Sequence, residues 1–198
     1  MKYGDDVITR IVYATSKDSG LKDLNSLIIS NINTLTEGIA KKNKIDLNLI
    51  DNIVIAGNTT MTHLFYGVNP QYIREEPYVP AANHFPLIKA KDLGIKANEQ
   101  AIVYSLPGIA SYVGGDITSG VLASGMCRTK ELILFIDIGT NGEVVLGNCE
   151  WFITTACSAG PCFEGGGVKF GMRAMEGAIE QVTIDRDTYE ASYKVIGN

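Results

Sequence analysis

The residues with the clearest chemical character lie in FIDIGTNGEVVLGN, residues 135–148. An apolar run reaches Asp137, passes through Gly139, Thr140, Asn141 and Gly142, and leaves as a second apolar run. Asn-Gly between two strand-like runs is a strong hairpin signal, so a plain tight turn explains the spacing by itself. A second reading gives the turn a ligand. An aspartate closing a buried strand occupies the position where open α/β sheets collect ligands. Glycines let backbone N–H groups approach an anion with no Cβ in the way, forming a phosphate-binding concavity. Thr140 and Asn141 add side-chain hydrogen bonds. The Asp137 carboxylate can hold the waters of a magnesium ion, which prefers a carboxylate plus substrate phosphates.

Three other stretches carry competing readings. In GGDITSG (114–120), Asp116 either caps a helix or faces the same cleft as Asp137 and orients a water. In SAGPCFEGGGVKFG (158–171), the run Gly165, Gly166, Gly167 is costly to order. It makes sense where backbone passes a ligand, or else as a surface loop. Lys169 and Arg173 just beyond can neutralise phosphate or stay solvated. In AGNTTMTHLF (56–65), a strand ending in glycine meets a hydroxyl-rich helix start. That can bind an anion, but capping by Asn58 or Thr59 is the simpler reading, with His63 packed on a helix face. No G-x-x-x-x-G-K-[ST] loop occurs.

The elements that must position these residues follow from periodicity. Residues 5–14 place Val7, Ile8, Ile11 and Val12 on one helical face behind two acids. Leu21, Leu24, Ile28, Ile32, Leu35 and Ile39 recur at three and four, which predicts a helix over 20–42. Ile53 to Ala56 reads as a strand buried on both faces, AIVYS (101–105) as a second strand, and 69–92 as an irregular excursion with Pro70, Pro77, Pro80 and Pro86. ITSGVLASGM (117–126) is a small-residue helix suited to close packing. From 131 the pattern becomes a β-meander, LILFIDI, EVVLG and WFITT, followed by AIEQVTI and ASYKVIG. The fold class is α/β, with a boundary near Arg128-Thr129-Lys130.

Of the 198 residues, 45% are hydrophobic and 20% charged, which describes an ordinary globular chain. The formal charge of −5, with no basic stripe, argues against nucleic acid or an anionic membrane as partner. No apolar run reaches the length of a membrane span and MKYGDDVITR has no signal-peptide core, so a cytoplasmic location is expected. Cys127, Cys149, Cys157 and Cys162 lack C-x-x-C spacing, which leaves zinc and iron–sulfur ligation by this chain unsupported.

The order of the pieces resembles the acetate kinase/sugar kinase/heat-shock ATPase/actin superfamily, in which two ribonuclease-H-like domains clasp ATP. FIDIGTNGE resembles its second phosphate loop, GGDITSGVLASG the first connecting helix, and FEGGG the following Gly-Gly turn. More closely, DDVITRIVYA, IVIAGNTTMTHLFYGVNP, PYVPA, LPGIASYVGGDITSG, DIGTNGE and ACSAGPCFEGGGVKFGMRAMEGAIE resemble the C-terminal ATPase region of the reductive activators of corrinoid proteins. That resemblance implies an actin-like ATPase fold, with residues 1–129 the later part of one ribonuclease-H-like domain and 130–198 the first part of its twin.

It implies ATP-driven return of a Co(II) corrinoid protein to Co(I), with electrons from an iron–sulfur cluster elsewhere in the full chain. Asp137, Gly139, Thr140, Asn141 and Gly142 would meet phosphates and Mg2+, with Asp137 the metal residue. Asp116 would position water, and Gly165 and Gly166 would line the nucleotide cleft. Family members carry an earlier Asp-Gly-Thr-Thr loop and cluster-binding cysteines, and neither is present here. The chain is therefore read as a fragment without turnover of its own, with the corrinoid protein as partner and a homodimer left open. The rivals are a small-molecule kinase of the same superfamily and a non-catalytic docking module using the surface around 69–92.

Overall fold

The computed structural model describes residues 3, 4, 6–160, 165 and 168–197. They form two compact units, Met1–Phe135 with Glu143–Thr155, and Ile136–Gly142 with Ala156–Asn198.

The first unit is organised by a three-stranded sheet of order β1-β3-β2, with β1 Asn52–Ile55, β2 Ile88–Lys89 and β3 Ile102–Ser105. β1 and β3 run parallel, Asn52 opposite Ile102 through Ile55 opposite Ser105. A parallel pair needs a long crossover. It runs through α3 (Thr59–Tyr66), α4 (Gln71–Arg74) and the proline-bearing stretch, whose far end returns as the short antiparallel β2. That last strand was not legible among the prolines.

Val103 sits fully buried at the sheet's centre with Ile29, Phe65, Ala90, Ile95 and Ala101. β1 departs from its sequence reading. Ile53 and Ile55 pack on this core, but Val54 is 64% exposed, so only one face is covered. A short Ile/Val run cannot distinguish one covered face from two.

α1 (Val7–Ser16) starts at a reciprocal cap, in which Asp6 Oδ1 accepts from the Thr9 N–H at 2.8 Å and the Asp6 N–H donates to Thr9 Oγ1 at 3.3 Å. α2 (Gly20–Asn43) begins at Gly20, where a Cβ would collide with the Tyr13 carbonyl. Glycine therefore permits the tight helical hairpin. The apolar stripe on α2 divides in use. Leu24 is buried with Ala14 and Leu64, and Ile28 and Ile32 pack on the clusters. Leu35 and Ile39 are exposed. Asn25 Nδ2 donates to the carbonyls of Leu64 and Phe65 at 3.0 and 2.7 Å, tying α2 to the last turn of α3, where the Leu64 carbonyl also accepts from the Gly67 N–H at 3.2 Å.

The chain then crosses α5 (Gly115–Ser124) into a second sheet of order β4-β5-β6: Ile133–Ile138, Asn141–Gly147 and Phe152–Ser158. Its order is that of the expected meander. In the first unit, Val113, Ile117, Met126 and Val145 form a core against Val121, Ile133 and Phe135. β4 alternates, with 133, 135 and 137 half-buried and Leu134, Ile136 and Ile138 exposed. The second unit carries the antiparallel pair β7 (Ile179–Ile184) and β8 (Ala191–Val195), turned at Asp185, whose Oδ1 accepts from the Asp187 and Thr188 N–H groups. Among the described residues no helix is long and apolar enough to cross a membrane.

His63 joins the crossover to its own helix. It is fully buried, its Nδ1 lies 2.7 Å from the Thr59 carbonyl, and its Nε2 accepts from the Ala82 N–H at 3.4 Å. A carbonyl cannot donate, so Nδ1 carries the proton and Nε2 is the acceptor, a neutral tautomer. Burial pushes this imidazole below its ordinary value of 6.5, against the opposing pull of the Thr59 carbonyl. The unfolded chain then binds a proton that the folded chain refuses. Stability is fully present above about pH 6.5 and declines as pH falls through that value toward the folded one. Urea midpoints measured from pH 8 to pH 5.5 should fall for the native chain. His63→Gln, which cannot titrate, should start lower and show a shallower dependence. Equal slopes in the two proteins would remove His63 as the source.

Candidate functional site

Because β1 and β3 are parallel, Ile55 and Ser105 end at the same edge of the sheet, where such sheets collect ligands. The loops that follow meet main chain to main chain. A Cβ on Gly114 would stand 2.6 Å from both Asn58 Cα and Thr59 N, and one on Gly115 would stand 2.5 Å from the Leu106 carbonyl oxygen. The Asp116 N–H donates to the Gly57 carbonyl at 3.2 Å, and the Thr59 hydroxyl donates to the Ala110 carbonyl at 2.8 Å. Asn58 caps α3, its Oδ1 accepting from the Met61 N–H at 2.8 Å. The capping reading of that stretch therefore holds.

Asp116 is not the N-cap of α5. Gly114 holds that place, and Asp116 lies in the first turn, half-buried, with Oδ1 accepting from the Ile117 N–H at 2.9 Å. Aspartate precedes many helices, but here the approach of Gly114 to Asn58 and of Gly115 to Leu106 sets where the helix begins. The carboxylate still sits at the positive end of the helix dipole.

The stretch Asp137 to Gly142 is gathered in the second unit. Asp137 is the fifth residue of β4, half-buried on the face shared with Phe135. β4 ends at Ile138 and β5 begins at Asn141, so the connection is Gly139-Thr140. Asn141 and Gly142, the residues of the hairpin signal, are instead the first two residues of β5. A two-residue link joins antiparallel neighbours, so the hairpin exists with its apex two residues earlier than Asn-Gly suggests.

The Gly139 N–H donates to the Asn141 carbonyl at 2.9 Å, and the Thr140 carbonyl accepts from the N–H groups of Ala159 and Gly160 at 3.2 and 3.0 Å. An anion would recruit the Gly139 amide only by exchanging its bond within the turn. Gly142 is buried against Cys157, whose thiol donates to the Gly142 carbonyl at 3.4 Å. A Cβ there would meet that sulfur at 3.3 Å.

Gly165 adopts φ +82°, and a Cβ on it would lie 2.7 Å from Met172 N, so this position requires glycine twice over. Gly166, Gly167 and Cys162 lie outside the described residues. Among the described residues no three His, Cys, Asp or Glu side chains gather as metal ligands. Asp137 nevertheless suits magnesium, which is commonly held by one carboxylate through waters together with the ligand's phosphates. The described Cys127, Cys149 and Cys157 are free thiols.

Two contacts escaped the sequence reading: the backbone junction of Gly57-Asn58 with Gly114-Gly115, and the packing of Gly120 on Phe135. The glycines themselves were the only available signal, since glycine before and inside a helix is costly unless something approaches closely.

Comparison with known proteins agrees along the whole chain. Residues 1–129 match the family model of the RACo middle region, and residues 131–198 match that of the C-terminal domain of RACo, the ASKHA domain. The corrinoid activation enzyme RamQ of Eubacterium limosum is 34% identical over 195 residues, covering 98% of this chain and 32% of that protein. The [Co(II) methylated amine-specific corrinoid protein] reductase of Methanosarcina barkeri is 28% identical over 152 residues, covering 68% of this chain and 27% of that one. A solved reductive activator for corrinoid, iron-sulfur protein superposes with a TM-score of 0.88 at 50% identity, covering 99% of this chain and 31% of the other. The chain thus spans about a third of the length of these relatives. The α/β, actin-like ATPase fold class stands on these matches.

The glycine junction can be tested for rigidity. Gly114→Ala puts a methyl group against main-chain atoms that cannot swing aside, and should cost about 1–3 kcal/mol of stability. Gly57→Ala, whose Cβ would meet nothing closer than Thr62 Oγ1 at 3.5 Å, should cost under about 1 kcal/mol. Urea denaturation of both variants checks this, and equal losses would mean the junction yields.

Proposed function

Because the chain belongs to the RACo family, we propose that it is the nucleotide-cleft segment of an ATP-dependent reductive activator. The full-length protein would return Co(II) in a corrinoid protein to Co(I), using an electron from an iron–sulfur cluster held elsewhere in its sequence. The observation that carries this reading is the pair of family matches, to the RACo middle region and to its ASKHA domain. The geometry supports it at two places: the strand-end junction carrying Asp116, and the turn carrying Asp137. On this reading the division of domains falls near residue 130, the setting is cytoplasmic, and the partner is a corrinoid protein.

The roles follow from chemistry. Asp137 would hold Mg2+ through its carboxylate. Gly139, Thr140, Asn141 and Gly142 bring main chain close to the phosphate oxygens, and Asp116 orients the attacking water. Gly165 and Gly166 line the cleft. Bound magnesium supplies charge neutralisation on the phosphates, while positioning by the protein supplies most of the remainder. Electron transfer itself is not performed by these residues. They couple nucleotide hydrolysis to it.

Asp137→Asn preserves side-chain size and removes the charge. In the full-length activator, ATP-dependent Co(I) formation, read by corrinoid absorbance, should fall at least about tenfold, about 1.4 kcal/mol of transition-state stabilisation. Reduction of the iron–sulfur cluster without ATP should be unchanged. Native rates in a well-folded Asp137→Asn protein would refute the role given to this carboxylate.

A further inference from the structure

Within the first unit, α5 approaches β4 more closely than any residue with a side chain would allow. A Cβ built on Gly120 would collide with Phe135 Cζ and lie 2.8 Å from Cε2. The Phe135 ring is held by the cluster of Val113, Ile117, Met126 and Val145, so it cannot move aside without disturbing a packed core. Gly120 also shares a face with a proposed site residue. Asp116 precedes Gly120 by four residues in α5, one turn away on the same helical face.

We infer that Gly120 and Phe135 are positioning residues for Asp116, the glycine forming the gap and the ring the spacer that seats α5 on the core of the first unit. This rests on the role proposed for Asp116. A methyl group on Gly120 forces ring or helix to shift by about 1 Å, a displacement able to cost up to about a hundredfold in rate when reacting groups are held by positioning. Removing the ring leaves the helix without its stop. Shortening the ring while adding the methyl group restores the filling of the gap.

The test uses the full-length activator with Gly120→Ala, Phe135→Leu and the two combined, measuring kcat and KM for ATP in Co(I) formation together with the thermal midpoint. Gly120→Ala should lower kcat at least about tenfold with KM for ATP within about threefold of native. The double variant should exceed Phe135→Leu alone in kcat by at least about threefold, although it carries one more change. That second comparison holds even if Gly120→Ala alone does not fold. A lowered midpoint with native kcat in Gly120→Ala, or a double variant no faster than Phe135→Leu, would overturn the positioning role. Asp137→Asn keeps the two ideas apart. Full turnover in that variant refutes the role given to Asp137 and with it the site as proposed. Lost turnover there with native kcat in Gly120→Ala removes only the positioning role.

Discussion

Two stretches of main chain, Gly57-Asn58 and Gly114-Gly115, lie in direct contact, and the arrangement of the first unit depends on that closeness. A side chain on Gly114 would wedge them apart, and one on Gly115 would collide with the Leu106 carbonyl after β3. With none present, the N-terminus of α5 is drawn to the loop after β1 and bonded there through Asp116 N–H and the Gly57 carbonyl. The start of α3 is held by the same junction, since Thr59 bonds the Ala110 carbonyl across it. The C-terminal edge of a parallel strand pair thereby acquires two helix N-termini at a spacing set by backbone radii. Backbone contact fixes that spacing more tightly than rotatable side chains would.

Around this edge, polar side chains are held by hydrogen bonds. No buried side-chain nitrogen or oxygen among the described residues lacks a hydrogen-bond partner. Tyr66 shows how this extends to the strand end: its hydroxyl lies 2.8 Å from Ser105 Oγ, at the last residue of β3. Burial pushes the phenol's pKa up, against the hydrogen bond to Ser105, so it stays neutral. Asn25 and Asn33 make analogous bonds from α2, the first to the end of α3 and the second to the Gly94 carbonyl at 2.9 Å. A buried unpaired partner costs more than a single such bond contributes. The polar side chains therefore specify the arrangement more than they strengthen it.

What the sequence disclosed follows from the range of each signal. The helix over 20–43 was legible because its apolar residues repeat within the element, and the meander because consecutive strands need only short turns. β2 was not, because two residues among prolines carry no period, and its pairing partner β3 lies beyond the next turn. The exposure of Val54 was hidden because coverage depends on other elements. At the site, Asp137 and the glycines after it were legible as a strand-end turn. The apex was misplaced because Asn-Gly is locally ideal for a hairpin while the Thr140 carbonyl is claimed by Ala159 and Gly160, nearly twenty residues on. Gly120 was legible as small but not as paired with Phe135, a contact that exists only once α5 and β4 meet.

That long-range claim on Thr140 bears on how a nucleotide state could be passed on. The turn at Gly139-Thr140 and the chain after β6 share two hydrogen bonds on one carbonyl oxygen. Ala159 and Gly160 follow directly on the end of β6 at Ser158. Any movement of the turn, including exchange of the Gly139 amide from Asn141 to a phosphate oxygen, must either stretch those two bonds or carry residues 159–160 with it. Because a carbonyl has two lone pairs, and both are engaged, the first alternative loses both bonds at once. On the proposed function, the Gly139-Thr140 turn and residues 159–160 therefore move as one piece. That coupling is what a protein needs if hydrolysis at one place is to drive an electron uphill at another.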